Sequence, residues 1–461
     1  MSYQLIGLLA FIFILGAAVV LHEFGHFLVA KLFKIRVETF SVGFGPRLFG
    51  RRWGQTDYRV SAIPLGGYVK LGGDESNAPL EGAGATDIPP EEQFNLRPRW
   101  QRILVALAGP VMNVLTALSI PLAAALLYGV PAIPTPVINY IVPGGAAAAA
   151  GLQPGDRIVQ FNGTDNPKWE TINGDALLSP DQPLPLTVDR NGQRLALTIK
   201  PTPHTENGET AGLLDFTPDY GEFQVMVKSV TPNSPAEAAG LQPGDRVVAV
   251  NGEKVRNAAQ VTSFIKEHRD QPLKLTVQRN GELKELTTDS RRLADGVLGI
   301  GIGDDFPLHK VGLMGAAAYA YRFNVEIVKL TGKALGQVFA GKRSVRNTLS
   351  GPIGIYKAAA TQVDRLGWDG FFQMLGFLSL NLGIFNLLPI PVLDGGAIFL
   401  LLIEGALAVI GLTLSTTIRE RIQQVGFVMV ILLMVFVISN DFLKMISPGN
   451  SNKPAATAPS K

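Results

Sequence analysis

Leu5-Ile6-Gly7-Leu8-Leu9-Ala10-Phe11-Ile12-Phe13-Ile14-Leu15-Gly16-Ala17-Ala18-Val19-Val20-Leu21 runs without a charge into His22-Glu23-Phe24-Gly25-His26. On an α-helix, residues four apart share a face, so His22 and His26 can aim both imidazoles at one metal ion. Glu23 lies beside that face, where it can serve as a general base. The apolar run suits a membrane helix, and ionisable groups in hydrocarbon are costly enough to point to function. Two histidines at a helix end could instead sit at headgroup level, with Glu23 paired to Lys31 or Lys34. A membrane helix has little other reason to hold all three, so the metal reading leads. The run continues through Phe27-Leu28-Val29-Ala30 and starts without a positive n-region, which predicts a retained anchor over residues 1–31 rather than a cleaved signal.

The 461 residues suffice for several units. Only 17% are charged and mean hydropathy is +0.22, with apolar residues clustered, as in a membrane protein carrying a soluble part. A net charge of +3 gives no cue for nucleic acid. With no cysteine, a metal site must be built from His, Asp and Glu. Of the five histidines, His204, His268 and His309 lie in polar surroundings, so the third ligand is expected to be a carboxylate.

Lys31, Lys34, Arg36, Arg47, Arg51, Arg52 and Arg59 follow the first helix, which predicts a cytoplasmic face there and an exterior N-terminus. Within 32–100, residues 39–73 are rich in Gly, aromatic and β-branched types and predict two short hairpins. They form either a plain cytoplasmic sheet or an edge strand that pairs with an extended substrate. Asn77 to Asn95 reads as a loop. A second span, within 101–128, contains Gly109-Pro110-Val111-Met112-Asn113, where Asn113 is either helix–helix glue or lines a polar cavity.

Residues 129–221 and 222–308 repeat one another. Ala150-Gly151-Leu152-Gln153-Pro154-Gly155-Asp156-Arg157 recurs as Ala239-Gly240-Leu241-Gln242-Pro243-Gly244-Asp245-Arg246. One constant offset also aligns Asn162-Gly163 with Asn251-Gly252, and Arg190-Asn191-Gly192 with Arg279-Asn280-Gly281. Both copies resemble PDZ domains, which bind extended peptides by strand addition. Val297-Leu298-Gly299-Ile300-Gly301 resembles the PDZ carboxylate-binding loop, and Leu213-Leu214-Asp215-Phe216 does so less.

Residues 309–368 predict an amphipathic exterior segment near the membrane surface, with a break at Leu349-Ser350-Gly351-Pro352. The third span, 369–405, is interrupted by Pro389, Pro391 and Asp394-Gly395-Gly396, which predicts a broken helix. Asp394 lies about 23 residues past Phe371 and His22 about 17 past Leu5, so at ~1.5 Å per helical residue the two reach comparable depth. Asp394 is thus the expected carboxylate ligand; it could also cap the resumed helix. A fourth span covers 420–441, and the tail 442–461 is expected to be disordered. The whole reads as a polytopic α-helical membrane protein: four transmembrane helices, one of them broken, a membrane-associated β-hairpin region and two tandem PDZ domains (α+β).

With these blocks assembled, the chain resembles the site-2 protease family of intramembrane zinc metalloproteases. The resemblance rests on His22 to His26, Gly109 to Asn113 and Asn386-Leu387-Leu388-Pro389-Ile390-Pro391-Val392-Leu393-Asp394-Gly395-Gly396, with the tandem insertion between them. It implies one Zn2+ per chain held by His22, His26 and Asp394, with Glu23 as the catalytic acid and base. It further implies that Asn386, Pro389 and Pro391 line the substrate path. The Gly43, Gly45, Gly66 and Gly67 stretch would then be a re-entrant β-loop that pairs with substrate. The implied activity is regulated intramembrane proteolysis in the bacterial inner membrane, as part of a stress response. Its substrates would be a transmembrane anti-sigma factor after a first cut, and signal peptide remnants. The termini and PDZ pair would be periplasmic, with the pair acting as a size filter. The competing reading is a membrane-anchored PDZ scaffold with a structural zinc or none.

Overall fold

A computed structural model describes residues 3–74, 87–206, 209–221, 224–268, 271–288, 298–306, 308–341, 344, 350–412 and 414–446. The chain forms two units: residues 1–127 with 312–461, and residues 128–311.

In the first unit, α1 (Tyr3–Leu32) is apolar around its whole circumference, as suits a helix with protein on one side and lipid on the other. Ala10, Ile14 and Ala18 face Ala359, Met374 and Leu375 in the core, while Leu5, Leu8 and Phe13 stay exposed. It crosses α2 (Arg99–Leu127) where neither helix has a side chain in the way: a Cβ on Gly25 would strike the Ala108 carbonyl. Among the described residues, three helices are long and apolar enough to cross a membrane: Leu5–Leu32, Arg99–Leu127 and Thr417–Lys444.

Between α1 and α2 lie β1 (Val37–Trp53) and β2 (Thr56–Leu71). In place of two short hairpins there is one, turning at Gly54-Gln55 and bent back on itself. Residues Thr39 to Val42 pair with Lys70 to Gly67 and also with Asp57 to Val60, while Arg47 to Trp53 pairs with Ser61 to Thr56. The bend uses Gly43 (φ 93°) and Gly66 (φ 148°), where an L side chain would be strained. Phe24 and Phe27 of α1 pack on Phe40, and Phe27 also packs on Tyr58. The far end carries Leu48, Phe49 and Trp53, each more than 60% exposed, beside Arg47, Arg51 and Arg52, a composition suited to a membrane interface.

The rest of this unit is helical. α5 (Leu313–Phe339) was expected at the membrane surface, yet it packs along α2. Asn324, buried, donates to the carbonyls of Ala117 and Ala320 at 3.1 and 2.8 Å. An amphipathic stripe fits a neighbouring helix as well as a lipid surface, and the small residues Ala316 and Ala320 allow the close approach. α6 (Pro352–Leu366) packs on α1 and on α7 (Trp368–Asn386). The segment 369–405 is two helices: α7 ends at Asn386, and α8 runs Asp394–Val409. The final helix, α9 (Thr416–Ile446), is mostly exposed. Of the tail expected to be disordered over 442–461, residues 442–446 instead continue α9, while those from Ser447, with Leu349 and residues 75–86 of the expected loop, lie outside the described residues.

The second unit contains two sheets of matching order. One runs β7 (Phe216–Asp219), β3 (Thr135–Ile141), β4 (Arg157–Phe161), β5 (Leu184–Arg190), β6 (Gln193–Ile199). The other runs β12 (Ile300–Asp305), β8 (Gln224–Val230), β9 (Arg246–Val250), β10 (Lys274–Arg279), β11 (Glu282–Thr287). Each carries one helix of moderate length, α3 (Trp169–Leu177) and α4 (Ala258–Glu267). The repeated motifs have local causes. Asn162, Asn191, Asn251 and Asn280 take φ near +50°, each before a Gly of positive φ, which is the tight hairpin turn that Asn-Gly favours. The recurring Asp and Arg join: Arg190 donates to Asp156, and Arg279 to Asp245, through Nε and Nη2 at 2.6–2.7 Å. In the first copy Asp215 accepts from the Ala146 N–H at 2.9 Å and from Thr202, so its own carboxylate sits at the start of the helix at 146–149. In the second copy Leu298 is fully buried and Gly299 has φ 80°; Val297 lies outside the described residues.

Candidate metal centre

The helical repeat of α1 sets His22 and His26 side by side, with Nε2 atoms 3.2 Å apart. The third group arrives from the break between α7 and α8. Ile390 N–H donates to Leu388 O and Leu393 N–H to Ile390 O, so the chain turns sharply past Pro389 and Pro391. Val392 there has φ 86°, a conformation a β-branched residue adopts only under constraint. Gly395 and Gly396 are buried with the carbonyls of Leu387 and Ile390 where side chains would stand, so the first turn of α8 sits on the loop before it. Asp394 opens α8 without the side chain–backbone bond of a helix cap. Its Oδ2 lies 3.0 Å from His22 Nε2 and its Oδ1 3.5 Å from His26 Nε2.

These three are the His/Asp/Glu group found among the described residues that can converge on an ion, one ligand atom from each lying within 4.8 Å of the others. The donor set suits zinc. For bonds of about 2.0–2.2 Å in a tetrahedral arrangement, ligand atoms stand roughly 3.3–3.6 Å apart, a spacing comparable with the 3.2 Å between the two Nε2 atoms and with their 3.0 and 3.5 Å distances to the two oxygens of Asp394. A further feature fits a metal centre. Gly109 of α2 lies under both rings, and a Cβ there would collide with His26 Nε2 and stand 2.8 Å from His22 Cε1. His26 Nδ1 lies 2.7 Å from the Val105 carbonyl oxygen. A carbonyl can only accept, so Nδ1 carries the proton and Nε2 offers its lone pair.

Around this cluster, Asn386 Nδ2 lies 3.2 Å from His22 Nε2, and Asn113 Nδ2 lies 3.2 Å from His22 Nδ1. Glu23 is not one of these three groups and accepts from the Val69 N–H at 3.1 Å. Gly66 and Gly67 press on Val19 and Val20 of α1, just before His22. Gly43 and Gly45 lie in the bend of the hairpin, where their neighbours are Ser61 and Ile63 rather than the histidines. Pro389 is exposed, and Pro391 packs against Gly426 of α9. Sequence reasoning did not foresee the Val69 amide or the Val105 carbonyl, since backbone groups carry no residue-type signal. Gly109 stood in a quoted motif without a role of its own.

A His-Glu-x-x-His helix completed by a distant carboxylate, set among apolar helices, is the constellation of a membrane metallopeptidase. The chain belongs to Peptidase family M50, the site-2 protease family, which it matches over residues 10–433. It is accordingly a metalloprotease. A Vibrio cholerae protein whose name describes it as a zinc metalloprotease is 35% identical over 467 residues, covering 95% of this chain and 98% of that protein. The regulator of sigma-E protease RseP of Salmonella typhimurium is 32% identical over 461 residues, and that of Escherichia coli K12 31% over 460, with the same coverage.

Proposed function

We propose that this chain is a zinc-dependent intramembrane protease of the bacterial inner membrane that cuts transmembrane segments of single-span proteins. As the resemblance to the site-2 protease family implies, the substrates are a membrane-spanning anti-sigma factor trimmed by an earlier protease, and remnant signal peptides. In this reading α7 and α8 together make the broken third span and α9 the fourth, both termini and the PDZ-like repeats are periplasmic, and the repeats exclude untrimmed substrates. The observation that carries it is the convergence of His22, His26 and Asp394, with His22, Glu23 and His26 on a helix long and apolar enough to cross a bilayer.

His22, His26 and Asp394 would hold one zinc ion. When bound, that ion supplies Lewis-acid polarisation of the scissile carbonyl and lowers the pKa of water. The remaining work belongs to the chain. Glu23 has Oε2 engaged by Val69, which leaves Oε1 to take a proton from the attacking water and pass it to the departing amide nitrogen as the C–N bond breaks. Asn386 presents its amide next to the ligands, where it can donate to developing negative charge on the carbonyl oxygen. A substrate helix shields its own peptide bonds and must open locally. Val69 pairs with Phe40 on one side while its N–H faces Glu23, so by strand alternation the backbone of Gly67 faces the same outer side. An unwound substrate can pair along that edge.

The test is cleavage of a transmembrane segment by the purified chain in lipid. Glu23→Gln is expected to retain zinc and lose about 10²–10⁴-fold in rate, while His22→Ala loses both. Chelator should abolish wild-type cleavage, and zinc should restore it. Wild-type rates for Glu23→Gln would remove Glu23 from the acid and base role, cleavage indifferent to chelator would remove zinc from the reaction, and a wild type that cleaves nothing would favour the membrane-anchored PDZ scaffold.

A further inference from the structure

We propose that Asn113 is a positioning residue for His22, its side-chain oxygen accepting from His22 Nδ1–H and so reserving Nε2 for the cation. The inference rests on the metal-site reading above. Asn113 is fully buried in α2 and held against α7, where a Cβ on Gly383 would stand 3.2 Å from its own Cβ. Its amide nitrogen lies 3.2 Å from His22 Nδ1, and its Oδ1 is buried without a hydrogen-bond partner among the described residues. His22 Nε2, on the other side of the ring, faces Asp394 and His26.

A neutral imidazole has one N–H and one lone pair. If Nδ1 accepted from the Asn113 amide, the ring proton would sit on Nε2, the nitrogen that must be bare to bind a cation. Oδ1 would also remain buried and unsatisfied. The oxygen and nitrogen of an amide have nearly the same shape, and their assignment follows from the hydrogen bonds they make. Half a turn of the Asn113 amide gives Oδ1 a donor and frees Nε2 in one step.

The same helix already does this for the other ligand, because the Val105 carbonyl takes the Nδ1 proton of His26. Val105, Gly109 and Asn113 are spaced at four residues and form one stripe of α2. The stripe presents an acceptor, a gap without a Cβ and a second acceptor, facing His26 and His22 in turn. The Gly109 to Asn113 motif thereby acquires a physical role, in which the glycine admits the rings and the asparagine sets the tautomer of one.

The experiment uses the full-length chain in detergent, loaded with zinc, with 15N-labelled histidine. The expected spectrum shows His22, assigned by its loss in His22→Ala, protonated on Nδ1 and bare on Nε2. Competition with a chelator should find zinc held about 10–100-fold more weakly by Asn113→Leu, with the visible band of the Co2+-substituted protein displaced. Asn113→Asp, which keeps an acceptor, should bind zinc at least as tightly as wild type. A zinc-loaded wild type with His22 protonated on Nε2 would overturn the inference without recourse to a variant. So would wild-type affinity in Asn113→Leu, or an Asn113→Asp as weak as Asn113→Leu. A wild type that takes up no zinc at all would instead remove the metal-site reading, and this inference with it.

Discussion

The backbone N–H of Val69 donates to Glu23 Oε2 across 3.1 Å, joining the edge of a strand to the helix that carries both histidines. Any movement of the hairpin is therefore felt at the Glu23 carboxylate. A hydrogen bond to an ionised group contributes about 1.5–3 kcal/mol, enough to fix which carboxylate oxygen stays free.

Replacing Val69 by proline removes that donor. Proline is tolerated at sheet edges, and the Val69 N–H is directed at Glu23, so the ladder to Phe40 should survive. With about 1.4 kcal/mol per tenfold in rate, Val69→Pro is expected to slow cleavage about 10–100-fold while zinc content stays at the wild-type level. Steady-state cleavage together with metal analysis checks this, and full activity in the variant would free Glu23 from its dependence on the strand.

Gly109→Ala tests how tightly the second span fits the ligands. Alanine is the better helix former by about 1 kcal/mol, so on propensity alone the variant should be at least as stable. The added Cβ would meet the His26 ring, backed by rigid helix on both sides. Zinc affinity should fall at least about tenfold, in the range of disturbed metal surroundings, with thermal unfolding of the metal-free chain little changed. Equal zinc affinity in the variant would mean that α2 yields where the structure has it close-packed.

How much of this was legible in the sequence depends on the range of the cause. The pairing of His22 with His26 is a property of one helical turn, so four residues of spacing suffice to read it. Asp394 could be read because the prolines and glycines around it break an apolar run, and counting residues gives its depth. The Asn-Gly turns and the offset between the repeats are equally local. The Val105 carbonyl and Val69 amide could not be read, because every residue carries such groups and only the fold selects two. The bent hairpin escaped for a related reason: Thr39 to Val42 have partners on both sides only because Gly43 and Gly66 fold the strands back. The packing of α5 on α2 depends on Asn324 reaching Ala117, a contact between distant parts of the chain.

The second repeat should lose stability in acid through Asp245. Burial alone would raise this carboxyl, but hydrogen bonds from Arg279 and the Gln242 N–H outweigh it and hold it below the usual carboxylate range. A carboxyl lowered on folding contributes stability above its unfolded pKa of about 3.9 and loses it as pH falls through the folded value. Hydrogen exchange along β9 and β10 should therefore accelerate below about pH 4. Asp245→Asn, which removes the charge partner of Arg279 and leaves it only the Gly240 carbonyl, should show the faster exchange already at neutral pH. An acid limb unchanged by the substitution would assign that sensitivity to other groups.

Asp441 holds the last helix to the rest of the first unit. Buried near the end of α9, it accepts from the N–H groups of Gly351, Ile353 and Gly354 at 3.0–3.1 Å, and so caps α6 from another element. The same helix is held near its start by Arg419 on Glu404 and in its middle by Gly426 against Pro391. These tethers matter because α9 is otherwise largely exposed, and Pro391 stands three residues before Asp394. Replacing a capping carboxylate costs about 0.5–2 kcal/mol, and leaving buried donors without an acceptor about 1–3 kcal/mol. Asp441→Ala is thus expected to speed hydrogen exchange at Gly351 to Gly354 about tenfold or more. It should also loosen α9 against Pro391, and through that contact accelerate zinc release. Asn at the same position keeps one acceptor oxygen and should fall between. If exchange at Gly351 to Gly354 rose while zinc release did not change, the tether would serve α6 alone, and the contact between Gly426 and Pro391 would be shown to hold the Asp394 turn independently.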